Sequence, residues 1–256
     1  TSPHKPLLPH PRFRGKSKAG WYGDFVIQTD DAVGQILKSL EKNGLAENTL
    51  VIFTSDNGAE IDQTTATGPF RSNKGSVYEG GHRVPFLVSW PSGGVGDGNA
   101  RTPGRDSDEL IGLHDLFATF AEIVGDDLPD LRAGGKGAED SVSVLSAWRG
   151  ESLPARPMFY HDHKQAEDGA ASAIRMNNPT VGDRKFNGKW KLFFDAGLLR
   201  RGEAHPVELF DLHTDPKEKH NRLNDESLKP LLEHLTKLAL LHRPGPVDAE
   251  GLMSAV

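Results

Sequence analysis

The sequence predicts an α/β domain over residues 1–150, then a smaller α+β subdomain over residues 151–243 and a tail from 244 to 256. Three observations point there. Helical stripes alternate with short apolar runs in the first part, as layered α/β folds require. After about residue 150 the pattern changes to brief strand-like runs separated by Gly, Pro and Asn. One last amphipathic helix closes the pattern. At roughly 150 residues per domain, a chain of 256 residues accommodates one large domain and an appendage.

The first helix is expected between residues 22 and 43, where Val26, Thr29, Val33, Ile36, Leu37 and Leu40 recur at three- and four-residue spacing and form one buried stripe. Asn43-Gly44-Leu45 ends it, with Gly44 suited to the left-handed position after the last turn and Leu45 folding back on that turn. Leu50-Val51-Ile52-Phe53-Thr54 is continuously apolar and β-rich, the pattern of a strand buried on both faces of a parallel sheet. It runs into Asp56-Asn57-Gly58 and a long polar loop, residues 59–82. Loops of that length inside a domain are usually functional or disordered. A second strand follows from Val84 to Trp90, then a Gly-rich excursion from 92 to 104. Leu113, Leu116, Phe117, Phe120 and Val124 make another helical stripe, closed by Gly125.

Beyond residue 150, Met158-Phe159-Tyr160, Trp190 to Phe194 and Val207 to Leu212 read as a small antiparallel sheet. The last helix, about 227 to 242, stacks Leu228, Leu231, Leu235 and Leu238 on one face and tolerates Pro230 in its first turn. Asp211 and Asp215 are expected to serve turns around Pro216 rather than a second metal.

Composition sets limits on function. Thirty Lys and Arg against 36 Asp and Glu give a net charge of −6, which argues against nucleic-acid binding through a general basic field. No apolar run approaches the roughly 18 residues a membrane span needs. The absence of cysteine excludes disulfides and thiolate chemistry within these residues. The chain opens Thr1-Ser2-Pro3-His4-Lys5-Pro6, without an initiator Met, a basic n-region or an apolar h-region. Sequence upstream of Thr1 is therefore expected.

Three segments carry candidate chemistry. Asp56-Asn57-Gly58 fits a hairpin turn, because Asn-Gly readily supplies positive φ. It also fits a pair of oxygen ligands for a hard cation at the carboxyl end of a strand. Lys74, 18 positions beyond Asp56 in the long loop, is either a solvated side chain or a cation for an anionic ligand. His4 is of the residue type that protonates a leaving oxygen near neutral pH.

In this order, PHKP, the stretch GWYGDFVIQTDDAVGQILKSLEKNGLAENTLVIFTSDNG and SNKGSVYEGGHRVPFLVSWP closely resemble the C-terminal half of the sulfatase family, the formylglycine-dependent sulfuric ester hydrolases. ELFDLHTDPKEKHNRL is similar to a segment near that family's C-terminus. The resemblance implies part of an alkaline-phosphatase-like α/β domain followed by a smaller antiparallel sheet and helix. It implies that Asp56 and Asn57 ligate Ca²⁺, or occasionally Mg²⁺. It further implies that Lys74 contacts the bound sulfate and His4 lies beside the scissile ester oxygen; Asn73 stands where a Gly usually precedes that lysine. Glu79 and Arg83 match recurrent positions without an assigned chemical role. The implied activity is hydrolysis of an aryl or carbohydrate sulfate, in a protein of periplasmic or secreted location.

The family takes its nucleophile from an upstream C/S-x-P-x-R segment, oxidised to formylglycine, and this chain has none before PHKP. Ser152-Leu153-Pro154-Ala155-Arg156 matches the string in the wrong place and is read as a linker coincidence. By itself the chain is expected to be inactive, lacking a covalent nucleophile. Two other readings stay open: a non-catalytic module that binds anion and cation, and a phosphate or phosphonate ester hydrolase on the same scaffold. His161-Asp162-His163 is read as solvated rather than as lining the substrate entrance. Arg12, Arg14, Lys16 and Lys18 are read as a solvated basic stretch rather than a sulfated-polymer site. A shared small-ligand site requires the polar ends of His4, Asp56, Asn57 and Lys74 to converge within about 10 Å.

Overall fold

Helix α1 spans Gly20–Lys42 and ends as its sequence dictates. Gly44 takes φ 66°, its N–H donates to the Glu41 carbonyl and that of Leu45 to the Leu40 carbonyl, the paired bonds of a Schellman stop. The computed structural model describes residues 3–60, 66–99, 101–129, 137–161, 170, 172–195 and 202–241. Asp162, His163 and the tail from 244 lie outside them. The chain divides into two compact units, Thr1–Gly34 with Ser55–Pro85 and Ala155–Val256, and Gln35–Thr54 with Phe86–Pro154. This grouping is not a cut at residue 150: the candidate site segments before Val84 share a unit with the C-terminal sheet.

In the second unit, β1 (Val51–Thr54) pairs with β2 (Phe86–Ser89), Val51 opposite Ser89 and Thr54 opposite Phe86. The pairing is antiparallel, which corrects the parallel reading, and alternate side chains point outward, with Leu87 59% exposed. A continuous apolar run does not reveal strand direction or which faces are covered. Ile52, Phe86 and Val88 pack with Val95, Val144, Leu145 and Trp148, the last two on α4 (Leu145–Arg149). Helix α3 (Asp115–Val124) turns opposite to expectation. Phe117, Phe120 and Val124 are exposed, while Asp115, Ala118 and Thr119 are buried. Polar bonds set that orientation: the Asp115 carboxylate accepts from Gly112 N–H (2.7 Å) and Val142 N–H (3.2 Å), and the Thr119 hydroxyl oxygen accepts from Val144 N–H (3.0 Å). The outer apolar residues of α1 are also exposed, including Val26, Ile36 and Leu37, so the stripe expected to be buried is partly open.

The first unit holds a four-stranded antiparallel sheet in the order β3-β4-β7-β8, formed by Pro157–His161, Ser172–Asn177, Lys189–Phe194 and Pro206–Asp211. β5 (Thr180–Val181) and β6 (Arg184–Lys185) form a small ribbon between β4 and β7. Strand β4 escaped the sequence reading because Ser172-Ala173-Ile174-Arg175-Met176-Asn177 mixes small, charged and apolar residues. Asp211 and Asp215 serve turns as expected, accepting from the N–H groups of Lys189 and His213 and of Lys219 and His220 respectively.

Strand β7 is covered on both faces. Trp190, Leu192 and Phe194 pack with Leu231, Leu235 and Ala239 of α5 (Lys229–Leu241). Phe193 packs the other way, with Val77, Tyr78 and Phe210, and strand alternation puts Lys191 on that same face. Lys191 is fully buried, and a buried ammonium needs charge partners. Its Nζ donates to Glu79 Oε1 at 2.9 Å and Glu218 Oε1 at 3.1 Å, and lies 2.8 Å from His82 Nε2. Both acids and the histidine come from outside the sheet, Glu79 and His82 from the short helix α2 (Glu79–His82). Glu218 Oε2 also accepts from Glu79 N–H at 2.9 Å. Arg83 and Arg175 approach Glu79 Oε2 at 3.3 and 3.5 Å. The His82 ring stacks on Tyr160, centroids 4.1 Å apart.

This enclosure fixes protonation states. Burial pushes the Glu79 carboxyl up, but the Lys191 and Arg175 charges outweigh it and hold it down at about 2. Burial and then the Lys191 charge depress His82 to about 3, so the ring is neutral, with Nε2 between the Val77 carbonyl at 3.0 Å and the Lys191 ammonium. Burial raises Glu218 and takes the Tyr160 hydroxyl up to about 12.

Removing one partner from such a cluster leaves uncompensated buried charge, which costs about 3–5 kcal/mol. Lys191→Met is expected to lower stability by about that amount in urea unfolding, and adding Glu79→Gln and Glu218→Gln should restore most of it. The pH dependence has a defined sign. The unfolded chain protonates His82 below about pH 6.5 and the folded chain does not, so this group removes stability as pH falls from there toward 3, by up to about 1.4 kcal/mol per unit. Glu79 adds its loss between about pH 4.5 and 2, while Glu218, raised rather than lowered, acts in the opposite sense. His82→Gln should flatten the wild-type slope between about pH 6.5 and 4.5, measured by unfolding at successive pH values.

Candidate functional site

The buried cluster holds one end of the segment that presents Lys74. Arg71 at its start donates to Glu208 of β8 (3.1 and 3.3 Å) and stacks over the Tyr78 ring, and the Tyr78 hydroxyl donates to Glu208 Oε2 at 2.7 Å. Within the segment, Gly80 N–H donates to the Arg71 carbonyl at 2.8 Å. Lys74 therefore sits on a loop closed at its base by main-chain bonds and fastened to the sheet by Tyr78, Glu79 and Arg71.

The Asp56-Asn57-Gly58 turn is registered against that loop through backbone. Gly58 N–H donates to the Gly81 carbonyl at 2.8 Å, and Lys74 N–H donates to the Ala59 carbonyl at 2.9 Å. A side chain at Gly58 would collide with the Gly80 carbonyl, and one at Gly80 with the carbonyls of Ser72 and Arg71. Gly58 thus serves the close approach of the two loops, and Gly80 the folding of the lysine loop on itself. The hairpin reading of Asn57-Gly58 does not hold: β1 stops at Thr54, and its partner β2 begins only at Phe86.

Four groups were expected to converge, and the structure brings two of them into direct contact. Lys74 Nζ lies 3.3 Å from His4 Nε2, across 70 positions of sequence. His4 Nδ1 lies 2.8 Å from its neighbour's carbonyl, that of Lys5. That carbonyl fixes Nδ1 as the protonated donor and leaves Nε2 facing the lysine. Asp56 and Asn57 stand on the turn bonded to the lysine loop, with no direct bond to Lys74 or His4. Asp56 is exposed and Asn57 half-buried. The Asn57 Oδ1 atom is itself shielded from solvent and accepts no hydrogen bond, an arrangement that normally calls for a partner.

A fifth residue, Glu60, joins the contact pair and was missed in the sequence. Its Oε2 lies 2.8 Å from Lys74 Nζ and 3.6 Å from His4 Nε2. The Lys74 hydrogen bond holds its carboxyl below the ordinary carboxylate range. One acidic residue in a polar loop carries no periodic or spacing signal, so only the folded geometry singles it out. Glu79 is likewise given a structural purpose here, as the acid that meets Lys191.

The remaining sequence candidates have contacts or positions of their own. Arg12 pairs with Asp31 and covers Phe13, and Arg14 donates to the Pro9 carbonyl on an exposed stretch. Ser152-Leu153-Pro154-Ala155-Arg156 is an irregular connection between α4 and β3. Among the described residues no group of three or more His, Asp or Glu is placed to hold a metal, and no helix is long and apolar enough to cross a membrane.

Residues 2–125 match the Sulfatase family. The chain is 32% identical over 239 residues to N-acetylgalactosamine-6-O-sulfatase of Bacteroides thetaiotaomicron, covering 85% of this chain and 41% of that protein. It is 40% identical over 244 residues to steryl-sulfatase of Rattus norvegicus, covering 85% and 39%. A solved structure from a study of glycosaminoglycan metabolism by Bacteroides thetaiotaomicron superposes with TM-score 0.67 at 29% identity, covering 92% of this chain and 47% of that one. The chain thus spans less than half the length of these relatives, and the shared architecture is the alkaline-phosphatase-like fold expected from the sequence. The family match runs through the His4, Asp56-Asn57 and Lys74 segments, and the similarity to the relatives extends over most of the remaining residues: the chain belongs to the sulfatase family.

Proposed function

We propose that this chain carries the anion-holding and cation-holding part of a site that hydrolyses a carbohydrate sulfate ester. The observation that carries the reading is the meeting of His4 and Lys74 at 3.3 Å. Lys74 would place its charge on the sulfate oxygens, where it counts most as negative charge develops. His4, with Nδ1 bound to a carbonyl, would use Nε2 to hold or deliver the proton that the departing alkoxide needs. The carbohydrate class is favoured over a sterol by the name of the bacterial relative, N-acetylgalactosamine-6-O-sulfatase.

Asp56 and Asn57 would hold the divalent cation, Ca²⁺ or Mg²⁺. The chemistry fits: a carboxylate and an amide oxygen are hard donors, and the shielded Oδ1 of Asn57 has no hydrogen bond. A bound cation would supply Lewis-acid charge to the sulfate. Two protein oxygens leave most of a six- to eight-coordinate shell to other ligands, so affinity should be weak. Formylglycine does not fit any residue of this chain. There is no cysteine, and Ser152, in the irregular connection before β3, follows the His4, Asp56-Asn57 and Lys74 segments in sequence, whereas the family's string precedes them. We therefore assign the nucleophile to sequence outside these 256 residues, and the location to the periplasm or exterior, in keeping with the family resemblance.

Three measurements test the reading. Calorimetry with CaCl₂ should show weak binding to the 256-residue chain that Asp56→Asn reduces at least several-fold; equal binding by both proteins would remove Asp56 from the cation site. The purified chain should bind sulfate without turning over p-nitrophenyl sulfate, and robust turnover would refute the external nucleophile. The complete protein should hydrolyse N-acetylgalactosamine 6-sulfate in preference to phosphate and phosphonate esters, with Lys74→Ala losing at least about 100-fold in kcat/KM, the scale of one lost oxyanion donor. Preference for the phosphorus esters would sink the sulfatase assignment.

A further inference from the structure

We propose that Glu60 is a built-in competitor for the bound anion, whose carboxylate must be displaced from Lys74 and His4 before sulfate can occupy the cradle. The inference rests on the reading of Lys74 and His4 as the sulfate-binding pair, and it adds a residue to which the family resemblance gave no role.

The geometry is that of an anion already in place. One oxygen, Glu60 Oε2, lies 2.8 Å from Lys74 Nζ and 3.6 Å from His4 Nε2, and those two nitrogens are 3.3 Å apart. This is the triangle a sulfate oxygen would complete. The carboxylate is tethered by the same backbone that positions the lysine, since Ala59, its immediate neighbour, accepts the Lys74 N–H. Its effective concentration at the ammonium is therefore high, as for any intramolecular ligand. The pair is half-buried: the Lys74 side chain is 35% exposed and that of Glu60 19%, with Glu60 Oε2 itself shielded from solvent. The ammonium nevertheless reaches solvent through Lys74, so an incoming anion can meet it and exchange with the carboxylate.

A tethered competitor of modest strength discriminates between ligands. Free inorganic sulfate gains only the cradle contacts and must give up the Glu60 pair to obtain them. A sulfate ester adds contacts from its alcohol portion and outcompetes the carboxylate more easily. Glu60 thus sets a threshold that the free sulfate product does not readily pass, which favours product release. A sulfate dianion carries no proton to offer a neighbouring carboxylate, so it cannot share the position with Glu60. Monohydrogen phosphate has one and could sit beside Glu60 as a hydrogen-bond donor.

The test uses the 256-residue chain, with Na₂SO₄ and then sodium phosphate titrated at constant calcium and ionic strength, and binding followed by calorimetry. Glu60→Gln keeps the size of the side chain and removes its charge. It is expected to bind sulfate about tenfold more tightly than wild type, whereas Lys74→Ala loses binding and Glu60→Gln/Lys74→Ala does not regain it. Equal or weaker sulfate binding by Glu60→Gln, with Lys74→Ala still defective, overturns the competitor and leaves the cradle intact. A wild-type preference for phosphate over sulfate that vanishes in Glu60→Gln also overturns displacement, because it puts the carboxylate beside the ligand. Sulfate binding by none of these proteins, or indifference to Lys74→Ala, overturns the cradle itself and the competitor with it.

Discussion

The buried ion pair of Lys191 with Glu79 is the constraint on which the candidate site depends. An ammonium fully buried in a central strand beside Phe193 and Phe210, with Tyr78 packed over them, cannot stay there without acids. The sequence supplies them from two places far from β7: Glu79 on the short helix after the lysine loop, and Glu218 after β8. Meeting the needs of one charge therefore draws three separate segments together. The ion pair alone is weak evidence of net stability, but it is strong evidence of register, because few other placements of α2 would satisfy Lys191, Arg175 and Arg83 at once.

From that anchor the order passes outward through main chain. The glycines at 80 and 81 let the lysine loop fold against itself, Gly58 lets the Asp56-Asn57-Gly58 turn come within bonding distance of it, and the Lys74 N–H closes the second contact at Ala59. The candidate side chains lie at the end of this series, where burial is least. Lys74, His4 and Asp56 are open to solvent in part or in full, and Glu79 and Lys191 behind them are not.

Much of this was legible in the sequence, and the failures have physical causes. Periodicity located α1, α3 and α5, and Gly44 and Gly125 marked helix ends through their left-handed φ. The side of α3 that faces inward was misread because Asp115 and Thr119, which look like surface residues, are buried by bonding backbone N–H groups. The direction of β1 against β2 was misread because local sequence does not encode strand partners. At the site, His4, Lys74 and the Asp56-Asn57 pair could be named because they stand in strings with family likeness. Glu60 and Lys191 stand in no such string, and their importance arises only from contacts made across 14 and 112 positions.

The backbone bonding between the two loops has a consequence for how such a site can change over time. Since Gly58 to Gly81 and Lys74 to Ala59 are joined through peptide groups, the frame is indifferent to which side chains project from positions 56, 57, 60 and 74. Chemistry can be exchanged at those positions one residue at a time while the loops stay in place. A scaffold built this way is suited to diversify, because novelty at the tip does not have to be reconciled with architecture at the root.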